Sequence, residues 1–301
     1  MSSNPVNNAS PSVICGRFAP APSGPLHIGS MITALGSYLH SKSRGGLWKL
    51  RIEDSDCFRS QPGAIDSILH TLENFGLTWD SEVMIQSQRE NIYTTFIAEL
   101  KKSGLLFACA CSRKETSGKP YPATCRNKAL PDTPGKSLRV ITQNHMHEFI
   151  DGIQGMTTQN LAQEVGDFII RRADNIAAYH LAVVIDDAEQ HVTEIIRGAD
   201  LLDSTPRQIY LQQLLGFPRP VYYHLPVAVD GDGKKISKQN HAPAIDKRPT
   251  AEVLYQCLQF LGQEPDADLE NAGKEEILNW AIANWDVNKV PRSGTIQLTD
   301  Y

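Results

Sequence analysis

The sequence predicts an α/β protein whose core is a parallel sheet, with one inserted segment and a small helical region at the carboxyl end. Strand-like and helix-like patterns alternate through the first hundred residues, which favours parallel strands joined by helical crossovers. A cluster of cysteines and prolines then interrupts this rhythm, and two helical patterns close the chain. With 301 residues, 41% of them hydrophobic, the chain can bury one large or two modest domains.

Two strand–helix pairs and a further helix form the first half of the predicted sheet domain. Residues 13–18 and 47–52 are short apolar or alternating runs that predict strands. A proline-rich turn follows the first strand. Apolar residues at helical spacing then predict helices over 29–41, 62–76 and 88–103.

The same patterns predict the second half of the sheet further along the chain. Strand-like segments lie at 168–171, 181–186 and 192–196. A helix is expected over 206–215, because Ser204-Thr205-Pro206 is a good cap for a helix start.

We therefore divide the chain into five predicted segments. They are a flexible tail at 1–12, the first half of the sheet domain at 13–105, an inserted subdomain with a metal site at 106–174, the second half of the sheet domain at 175–232, and a loop with closing helices (249–261 and 273–285) at 233–301.

Local composition excludes several classes of protein. No apolar run approaches the roughly 18 residues that a transmembrane helix needs. The first twelve residues lack the basic and apolar regions of a secretion signal, so we expect a cytoplasmic protein with no membrane partner. The net charge is −5, and residues 250–301 are acidic. A polyanion site is therefore expected in the first 249 residues or on a local basic patch.

The turn after the first strand is the strongest candidate for a nucleotide site. A helix that begins near Gly29 would point unpaired N–H groups and the positive end of its dipole into the turn. Gly29 has no side chain, so a flat base can approach the backbone, and His27 can donate to a phosphate oxygen. Taken alone, these residues also fit an ordinary turn with a surface histidine.

The glycine-rich loop that carries Lys234, Lys235 and Lys238 is a second candidate. Closely spaced ammonium groups suit a triphosphate whose charge moves during a reaction. Most such loops are simply solvated, but the loop and the earlier turn together are far more specific than either alone.

Three of the six cysteines, Cys109, Cys111 and Cys125, lie close together in the inserted segment. In a chain without an export signal such a cluster favours a metal over disulfides, and thiolates suit Zn²⁺. A tetrahedral site needs a fourth ligand, and no further Cys or His lies between residues 106 and 136. Water, a distant histidine, or three unliganded thiols remain open from the residues alone.

The two nucleotide-site segments together resemble the signatures of class I aminoacyl-tRNA synthetases. The family's His-Ile-Gly-His and Lys-Met-Ser-Lys-Ser read here as His27-Ile28-Gly29-Ser30 and Lys235-Ile236-Ser237-Lys238-Gln239. The resemblance covers roughly residues 14–240 and is closest to the glutamyl/glutaminyl branch. The stretches similar to that branch are Arg17-Phe18-Ala19-Pro20, Arg51-Ile52-Glu53-Asp54, Arg197-Gly198-Ala199-Asp200-Leu201-Leu202 with Ser204-Thr205, and Tyr223-His224-Leu225-Pro226.

The resemblance implies a Rossmann-type synthetase fold with a zinc-containing insertion, and it implies roles for individual residues. His27 and Lys238 would be catalytic. The implied ATP site, with Mg²⁺ accompanying ATP, comprises His27, Gly29, Ser30, Lys235, Ser237 and Lys238. The implied glutamate pocket comprises Arg17, Phe18, Ala19, Pro20, Ala21, Glu53, Tyr179 and Arg197. Tyr121 is the implied fourth ligand of one structural Zn²⁺, beside Cys109, Cys111 and Cys125.

The implied pocket suits glutamate chemically. Glu53 can hold the ammonium group, Arg17 and Arg197 the carboxylates, and Tyr179 adds a hydroxyl donor. Because guanidinium groups only donate, the amide nitrogen of glutamine would face donor against donor. Aspartate is one methylene shorter than glutamate, and its binding free energy in this pocket would be weaker by about 1–3 kcal/mol.

The length of the chain bears on its substrate. Only 62 residues follow Gln239, too few for the anticodon-reading module of ordinary members of the branch. This shortness resembles the truncated paralogues of glutamyl-tRNA synthetase that attach glutamate to queuosine, the modified wobble base of tRNA(Asp). Queuosine carries a cyclopentene diol that can take the place of the hydroxyls of the ribose at the 3′ end of a tRNA. The expected partners are L-glutamate, ATP and queuosine-containing tRNA(Asp), and the expected state is a monomer.

Three alternatives remain open. An enzyme that glutamylates the 3′ end of another tRNA would need an anticodon reader supplied in trans. A non-catalytic, synthetase-derived RNA-binding protein would not need intact signatures and an intact pocket. A nucleotidyltransferase related only by fold would not need Arg17, Glu53 and Arg197 together.

Overall fold

The computed structural model describes residues 13–56, 60–116, 120–236 and 243–298. The strands in these ranges are β1 (Cys15–Phe18), β2 (Leu47–Ile52), β3 (Met84–Ile85), β4 (Leu106–Cys109), β5 (Ser137–Val140), β6 (Met146–Asp151), β7 (Gly155–Asn160), β8 (Phe168–Arg171), β9 (Glu194–Gly198), β10 (Val221–Leu225), β11 (Val227–Val229) and β12 (Thr295–Gln297). The α-helices are α1 (Ile28–Lys42), α2 (Ala64–Asn74), α3 (Glu90–Lys102), α4 (Arg113–Thr116), α5 (Leu161–Glu164), α6 (Tyr179–Glu189), α7 (Thr205–Leu215), α8 (Thr250–Phe260) and α9 (Lys274–Asn284).

The predicted parallel sheet is confirmed. β1 pairs with β2, β2 with β3, and β9 with β10, all in parallel. β9 lies beside β1, because the backbone N–H of Thr193 donates to the carbonyl of Cys15 at 2.9 Å. The order β3–β2–β1–β9–β10, with α1 crossing from β1 to β2, is that of a Rossmann-type sheet.

The elements of the first hundred residues form where their patterns predict them. The expected strands are β1 and β2, and the expected helices are α1, α2 and α3. In α1 the residues Met31, Ile32, Leu35 and Leu39 recur at helical spacing and are at most 2% exposed. This apolar stripe packs the helix against the sheet, which fixes the position of its amino end.

The strand predicted at 181–186 is wrong, because this segment belongs to α6. A short apolar run fits a buried helix as well as a buried strand, so periodicity alone does not separate them. Leu181–Asp187 is buried throughout, and this continuous burial hides the helical period. The strand predicted at 168–171 is confirmed as β8, and the one at 192–196 begins two residues later, as β9.

The helix expected over 206–215 is confirmed as α7, but its predicted cap is not. The Ser204 side chain makes no capping hydrogen bond, although Pro206 lies in the first turn as expected. A 3₁₀ turn over Ala199–Ser204 runs directly into the helix, so Ser204 already has helical backbone angles.

The predicted insertion contains mostly antiparallel structure. β4, β5 and β8 form an antiparallel sheet, and β6 and β7 form a hairpin in which β6 packs against β10 and α7. The closing helices expected at 249–261 and 273–285 are confirmed as α8 and α9. None of the helices in the described ranges is long and apolar enough to cross a membrane.

Candidate active site

A cavity of about 770 Å³ opens at the carboxyl ends of the parallel strands. Phe18 at the end of β1 and Gly198 at the end of β9 both line it, which is where open parallel sheets bind ligands. The predicted nucleotide and glutamate residues that the structure describes all line this cavity. They are Arg17, Phe18, Ala19, Pro20, Ala21, His27, Gly29, Ser30, Glu53, Tyr179, Arg197 and Lys235.

The ring of His27 caps the amino end of α1. Its Nδ1 accepts the backbone N–H of Ser30 at 3.3 Å, so this nitrogen carries no proton. In the neutral ring the proton is therefore on Nε2, which lies 3.0 Å from the hydroxyl of Ser30. A neutral imidazole with an Nε2–H group at the positive end of a helix can donate to a phosphate oxygen.

The two predicted nucleotide-site segments meet at Gly29. A Cβ atom at this position would lie 3.1 Å from the carbonyl oxygen of Ile236 and 3.2 Å from the His27 ring. Lys235, one residue earlier on the second segment, bonds to the Asp200 carboxylate at 2.5 Å. The predicted residues Ser237 and Lys238 lie outside the described ranges.

Arg17 is held at the cavity wall by a carboxylate. Its Nε donates to Oδ1 of Asp187 at 3.0 Å, and both side chains are buried. Burial alone would raise the pKa of Asp187, but the guanidinium groups of Arg17 and Arg51 hold this pKa below its usual value. Asp187 is therefore ionised, and its charge is shared between Arg17 and Arg51, whose Nη1 donates to the same oxygen at 2.7 Å.

Arg197 bonds to no carboxylate among the described residues. Its Nε donates to Nε2 of His224 at 3.0 Å, and its Nη2 donates to the hydroxyl of Thr205 at 2.7 Å. Its Nη1 is buried and has no hydrogen-bond partner in the described part of the chain. A buried, unpaired donor is costly, so this nitrogen is suited to a ligand acceptor in the cavity.

Glu53 and Tyr179 add an anion and a phenol to the same cavity. Glu53 follows β2, and its Oε1 accepts from Nη2 of Arg51 at 3.2 Å. Burial raises the pKa of Glu53, although Arg51 and Arg17 oppose the rise. Tyr179 begins α6 and is 37% exposed. The predicted glutamate residues thus bring one carboxylate and two guanidinium groups to the cavity, which match the charges of an amino acid with an acidic side chain.

Sequence reasoning assigned no role to four buried polar residues behind the cavity wall. They are Asp151, Asp187, Thr205 and His224. One signal was present: Asp186-Asp187 ends an apolar run, and carboxylates are rarely buried without a cationic partner. The contacts of Asp151 have no such signal, because they depend on how the insertion packs on β10.

The three clustered cysteines converge in the structure. Their sulfur atoms lie within 4.8 Å of one another, and those of Cys111 and Cys125 are 3.6 Å apart. The Tyr121 hydroxyl is 3.4 Å from the sulfur of Cys109 and accepts the backbone N–H of Cys125 at 2.9 Å. Sulfur ligands of tetrahedral Zn²⁺ are about 3.8 Å apart, given Zn–S bonds of about 2.3 Å. The three thiols can therefore hold a metal ion.

The chemistry of Cys109 agrees with such a role. Burial raises the pKa of its thiol, but hydrogen bonds from the Tyr121 hydroxyl, the Cys111 backbone and Arg139, together with the Arg139 charge, outweigh burial, and the pKa falls to about 7. The guanidinium of Arg139 lies 3.8 Å from the centre of the Tyr121 ring, so it adds positive charge beside the cluster.

Comparison with known proteins shows the class of enzyme to which this chain is similar. The family model described as the catalytic domain of class I tRNA synthetases (E and Q) matches residues 13–279. The solved glutamate–tRNA synthetase of Elizabethkingia anophelis superposes with a TM-score of 0.79 at 26% identity, over 95% of this chain and 68% of its own. A glutamate tRNA ligase from Elizabethkingia meningosepticum, solved in complex with its amino acid, superposes with a TM-score of 0.76 at 26% identity. This match covers 94% of this chain and 66% of that one. The fold is that of a class I synthetase.

Comparison with curated relatives shows the family within this class to which the chain belongs. The glutamyl-Q tRNA(Asp) synthetase of Ectopseudomonas mendocina is 49% identical over 93% of this chain and 96% of its own length. The protein of the same name from Thiobacillus denitrificans is 46% identical, with the same coverage. This chain belongs to the glutamyl-Q tRNA(Asp) synthetase family.

Proposed function

We propose that this protein is a ligase that activates L-glutamate with ATP and transfers it to the queuosine base at the wobble position of tRNA(Asp). The observation that carries the proposal is 46–49% identity, over nearly the whole length of both chains, to relatives named for this activity. The cavity supports it, because it joins a helix amino end suited to phosphates with charges suited to glutamate.

In the first step an oxygen of the glutamate α-carboxylate attacks the α-phosphorus of ATP. The bond from that phosphorus to the bridging oxygen breaks, which yields glutamyl-adenylate and pyrophosphate. His27, through Nε2–H, and Lys238 stabilise the charge on the phosphates. The residues Gly29, Ser30, Lys235 and Ser237 complete the ATP site, and Mg²⁺ enters with ATP. Positioning and electrostatics dominate such displacements, so no general base is needed.

The glutamate pocket works by charge complementarity. Glu53 binds the ammonium group, Arg17 and Arg197 bind carboxylates, and Tyr179 donates a hydroxyl hydrogen bond. Arg197 is the stronger carboxylate ligand, because its Nη1 lacks a partner among the described residues whereas Arg17 is paired with Asp187. Phe18, Ala19, Pro20 and Ala21 form the adjoining wall.

In the second step a hydroxyl oxygen of queuosine attacks the carbonyl carbon of the adenylate. The carbonyl–phosphate oxygen bond breaks, AMP leaves, and the hydroxyl proton passes to a phosphate oxygen. The cavity that receives the acceptor end in ordinary synthetases would receive an anticodon loop here.

The inserted segment holds one structural Zn²⁺ in this proposal. Cys109, Cys111 and Cys125 supply sulfur ligands and Tyr121 supplies the fourth, an oxygen. A site closed by four protein ligands has no open position for a substrate, so the metal stabilises the insertion and takes no part in catalysis.

The decisive experiment uses labelled glutamate, ATP and two preparations of tRNA(Asp), with and without queuosine. Label retained only on the queuosine-containing tRNA is the expected result. Label on both tRNAs, or on the 3′ end, would replace the proposal with 3′-end glutamylation. Absence of any glutamate-dependent ATP–pyrophosphate exchange would leave a non-catalytic protein.

The amino acid is tested separately by ATP–pyrophosphate exchange with glutamate, glutamine and aspartate. We expect glutamate to be strongly preferred, because Arg197 can only donate and glutamine presents an amide nitrogen that also donates. Exchange driven better by glutamine would overturn the pocket assignment.

A further inference from the structure

We propose that Asp151 and His224 are positioning residues that set the orientation of Arg197 in the glutamate pocket. The inference rests on the proposed function, because it takes Arg197 as the ligand of a glutamate carboxylate. Neither Asp151 nor His224 lines the cavity, and both side chains are completely buried. They therefore act through Arg197 and do not touch the substrate.

The register of the sheet places His224 beside Arg197. The two residues are direct partners in the parallel pair of β9 and β10, so their side chains point to the same face. Nε of Arg197 donates to Nε2 of His224 at 3.0 Å. The Thr205 hydroxyl lies 3.2 Å from the same ring nitrogen and accepts from Nη2 of Arg197.

These contacts determine the tautomer of His224. A guanidinium nitrogen can only donate, so Nε2 of His224 must accept and its proton must be on Nδ1. Nδ1 lies 2.5 Å from Oδ2 of Asp151, to which it donates. A carboxylate at this position accepts and never donates while ionised, and it therefore stabilises the tautomer that Arg197 requires.

Asp151 is itself held rigidly by the backbone. Its Oδ1 accepts the N–H groups of Ile153 at 3.0 Å, Gln154 at 2.9 Å and His224 at 3.1 Å. Hydrogen bonding to His224 holds the pKa of Asp151 below its usual value, although burial alone would raise it. The insertion thus contributes a fixed negative charge to a site formed by the parallel sheet.

This arrangement explains how a buried guanidinium remains available to a ligand. A carboxylate bonded directly to Arg197 would compete with the substrate, as Asp187 does at Arg17. Asp151 instead supplies its charge through the His224 ring, while Nε and Nη2 are both engaged. Only Nη1 then lacks a partner among the described residues, and the guanidinium plane cannot rotate without breaking two hydrogen bonds.

We call the contacts that run from Asp151 through His224 to Arg197 the relay. The substitution Asp151→Asn tests this relay with little change in the shape of the side chain. Three backbone N–H groups still require an acceptor at Oδ1, so the amide nitrogen takes the place of Oδ2. That nitrogen only donates, and the His224 proton must move to Nε2, where it meets the Nε–H of Arg197. We expect the KM for glutamate to rise about 10- to 100-fold, because the Nε–H of Arg197 would be a buried donor without an acceptor. The KM for ATP and kcat of exchange should change less than about threefold.

Asp167→Asn is the matched control. Asp167 is also a buried carboxylate of the insertion, but in the described part of the chain it bonds to Arg126 and Thr142 and not to Arg197. Its substitution can lower the melting temperature and should leave the KM for glutamate unchanged. Equal effects of the two substitutions on that KM would show that Asp151 is only a structural residue, and would overturn the inference.

A second measurement is independent of catalysis and of how well the variants turn over substrate. In a ¹⁵N-histidine-labelled sample of the full chain, the imidazole nitrogen shifts of His224 report its tautomer, and His224→Gln identifies its signals by their loss. We expect protonated Nδ1 in the unsubstituted protein and protonated Nε2 in Asp151→Asn. A protonated Nε2 without substitution would overturn the inference.

Failure of the proposed function is distinguishable from failure of this one. Without glutamate-dependent exchange in the unsubstituted protein the proposed function fails, while the NMR spectrum still shows whether the relay exists. With normal exchange and the wrong tautomer, only the relay is lost.

Discussion

His27 uses the two nitrogens of one ring for two tasks. Nδ1 caps α1, and in the proposed reaction Nε2–H donates to the phosphates. A substitution that removes the ring therefore removes a helix cap and the proposed catalytic donor at once, and the two losses must be separated experimentally.

We predict that His27→Ala lowers kcat for glutamate-dependent ATP–pyrophosphate exchange by about 10²–10³, with a smaller effect on KM. The reason is the loss of a donor that strengthens its bond as charge develops on the phosphates. Steady-state exchange kinetics measure the effect, and a kcat within about threefold of the unsubstituted protein would contradict the catalytic role.

His27→Asn is the control for the cap. Asparagine is a preferred N-cap residue, so this variant should retain the stability that His27→Ala loses, about 1 kcal/mol in urea unfolding. It should nevertheless lose kcat as His27→Ala does. Recovery of kcat together with stability would mean that His27 acts only through the helix.

Individual residues also show how far a sequence can define this site. The resemblance assigns Arg197 and Glu53 to the pocket, and the structure places both at one cavity. The resemblance does not indicate which guanidinium is already paired, because Asp187, which bonds to Arg17, directly follows a segment expected to be a strand. Hydrogen-bond partners from distant segments follow from packing, and no local pattern encodes them.

Among the elements, α1 is held to the sheet at its carboxyl end by ionic contacts. Glu194 at the start of β9 accepts from Nε2 of His40 at 2.6 Å and bonds to Arg44 just beyond the helix. Burial alone would raise the pKa of Glu194, but these two donors lower it to about 2. Burial lowers the pKa of His40, so its ring donates while neutral.

A carboxyl group with a lowered pKa stabilises the folded state at neutral pH. That contribution is present above the unfolded pKa of about 4.3 and is lost as the pH falls toward 2. We predict that Glu194→Gln removes up to about 2 kcal/mol of the unfolding free energy near pH 6 and only about half as much near pH 3.

Urea unfolding at both pH values measures this difference, and Glu264→Gln is the control. Glu264 pairs with Lys289, but its side chain is 80% exposed, so its removal should not alter the pH dependence. An equal loss of stability from Glu194→Gln at both pH values would refute the ionic explanation.

The insertion is the element that the sequence predicts least completely. Its cysteine spacing indicates a metal, but only the fold brings the Tyr121 hydroxyl beside Cys109. The sequence also gives no sign that Asp151, in the same segment, reaches β10.

We predict that Cys111→Ser abolishes stoichiometric zinc binding and lowers the melting temperature, since the proposed site loses one of four ligands. Exchange kcat should persist at low temperature, because none of the proposed ligands lines the cavity. Zinc content is measured by plasma mass spectrometry. Cys15→Ser, which changes a buried cysteine in β1, should keep its zinc. Zinc retained in Cys111→Ser, or absent from the unsubstituted protein, would reject the proposed site.

At the scale of the whole molecule, the closing helices are continuous with the sheet domain. Leu258 in α8 and Ile277 in α9 are buried in one apolar cluster with Leu35 of α1 and Trp48 of β2. The sequence predicts a small helical region at 233–301, but it does not predict this packing, because apolar periodicity identifies each helix and not the surface that covers it. A shared core implies that these helices and the proposed nucleotide site unfold together.

We predict that urea unfolding followed by tryptophan fluorescence, far-ultraviolet circular dichroism and loss of exchange activity gives one midpoint. Leu258→Ala creates a cavity at a fully buried position, so it should destabilise the protein by about 2–5 kcal/mol and shift all three midpoints equally. Leu47→Ala, at a position that is 40% exposed, should move none of them appreciably. If exchange activity survived a transition seen by the other two probes, the closing helices would form an independent domain, and α1 would not need them to hold His27 and Gly29 in place.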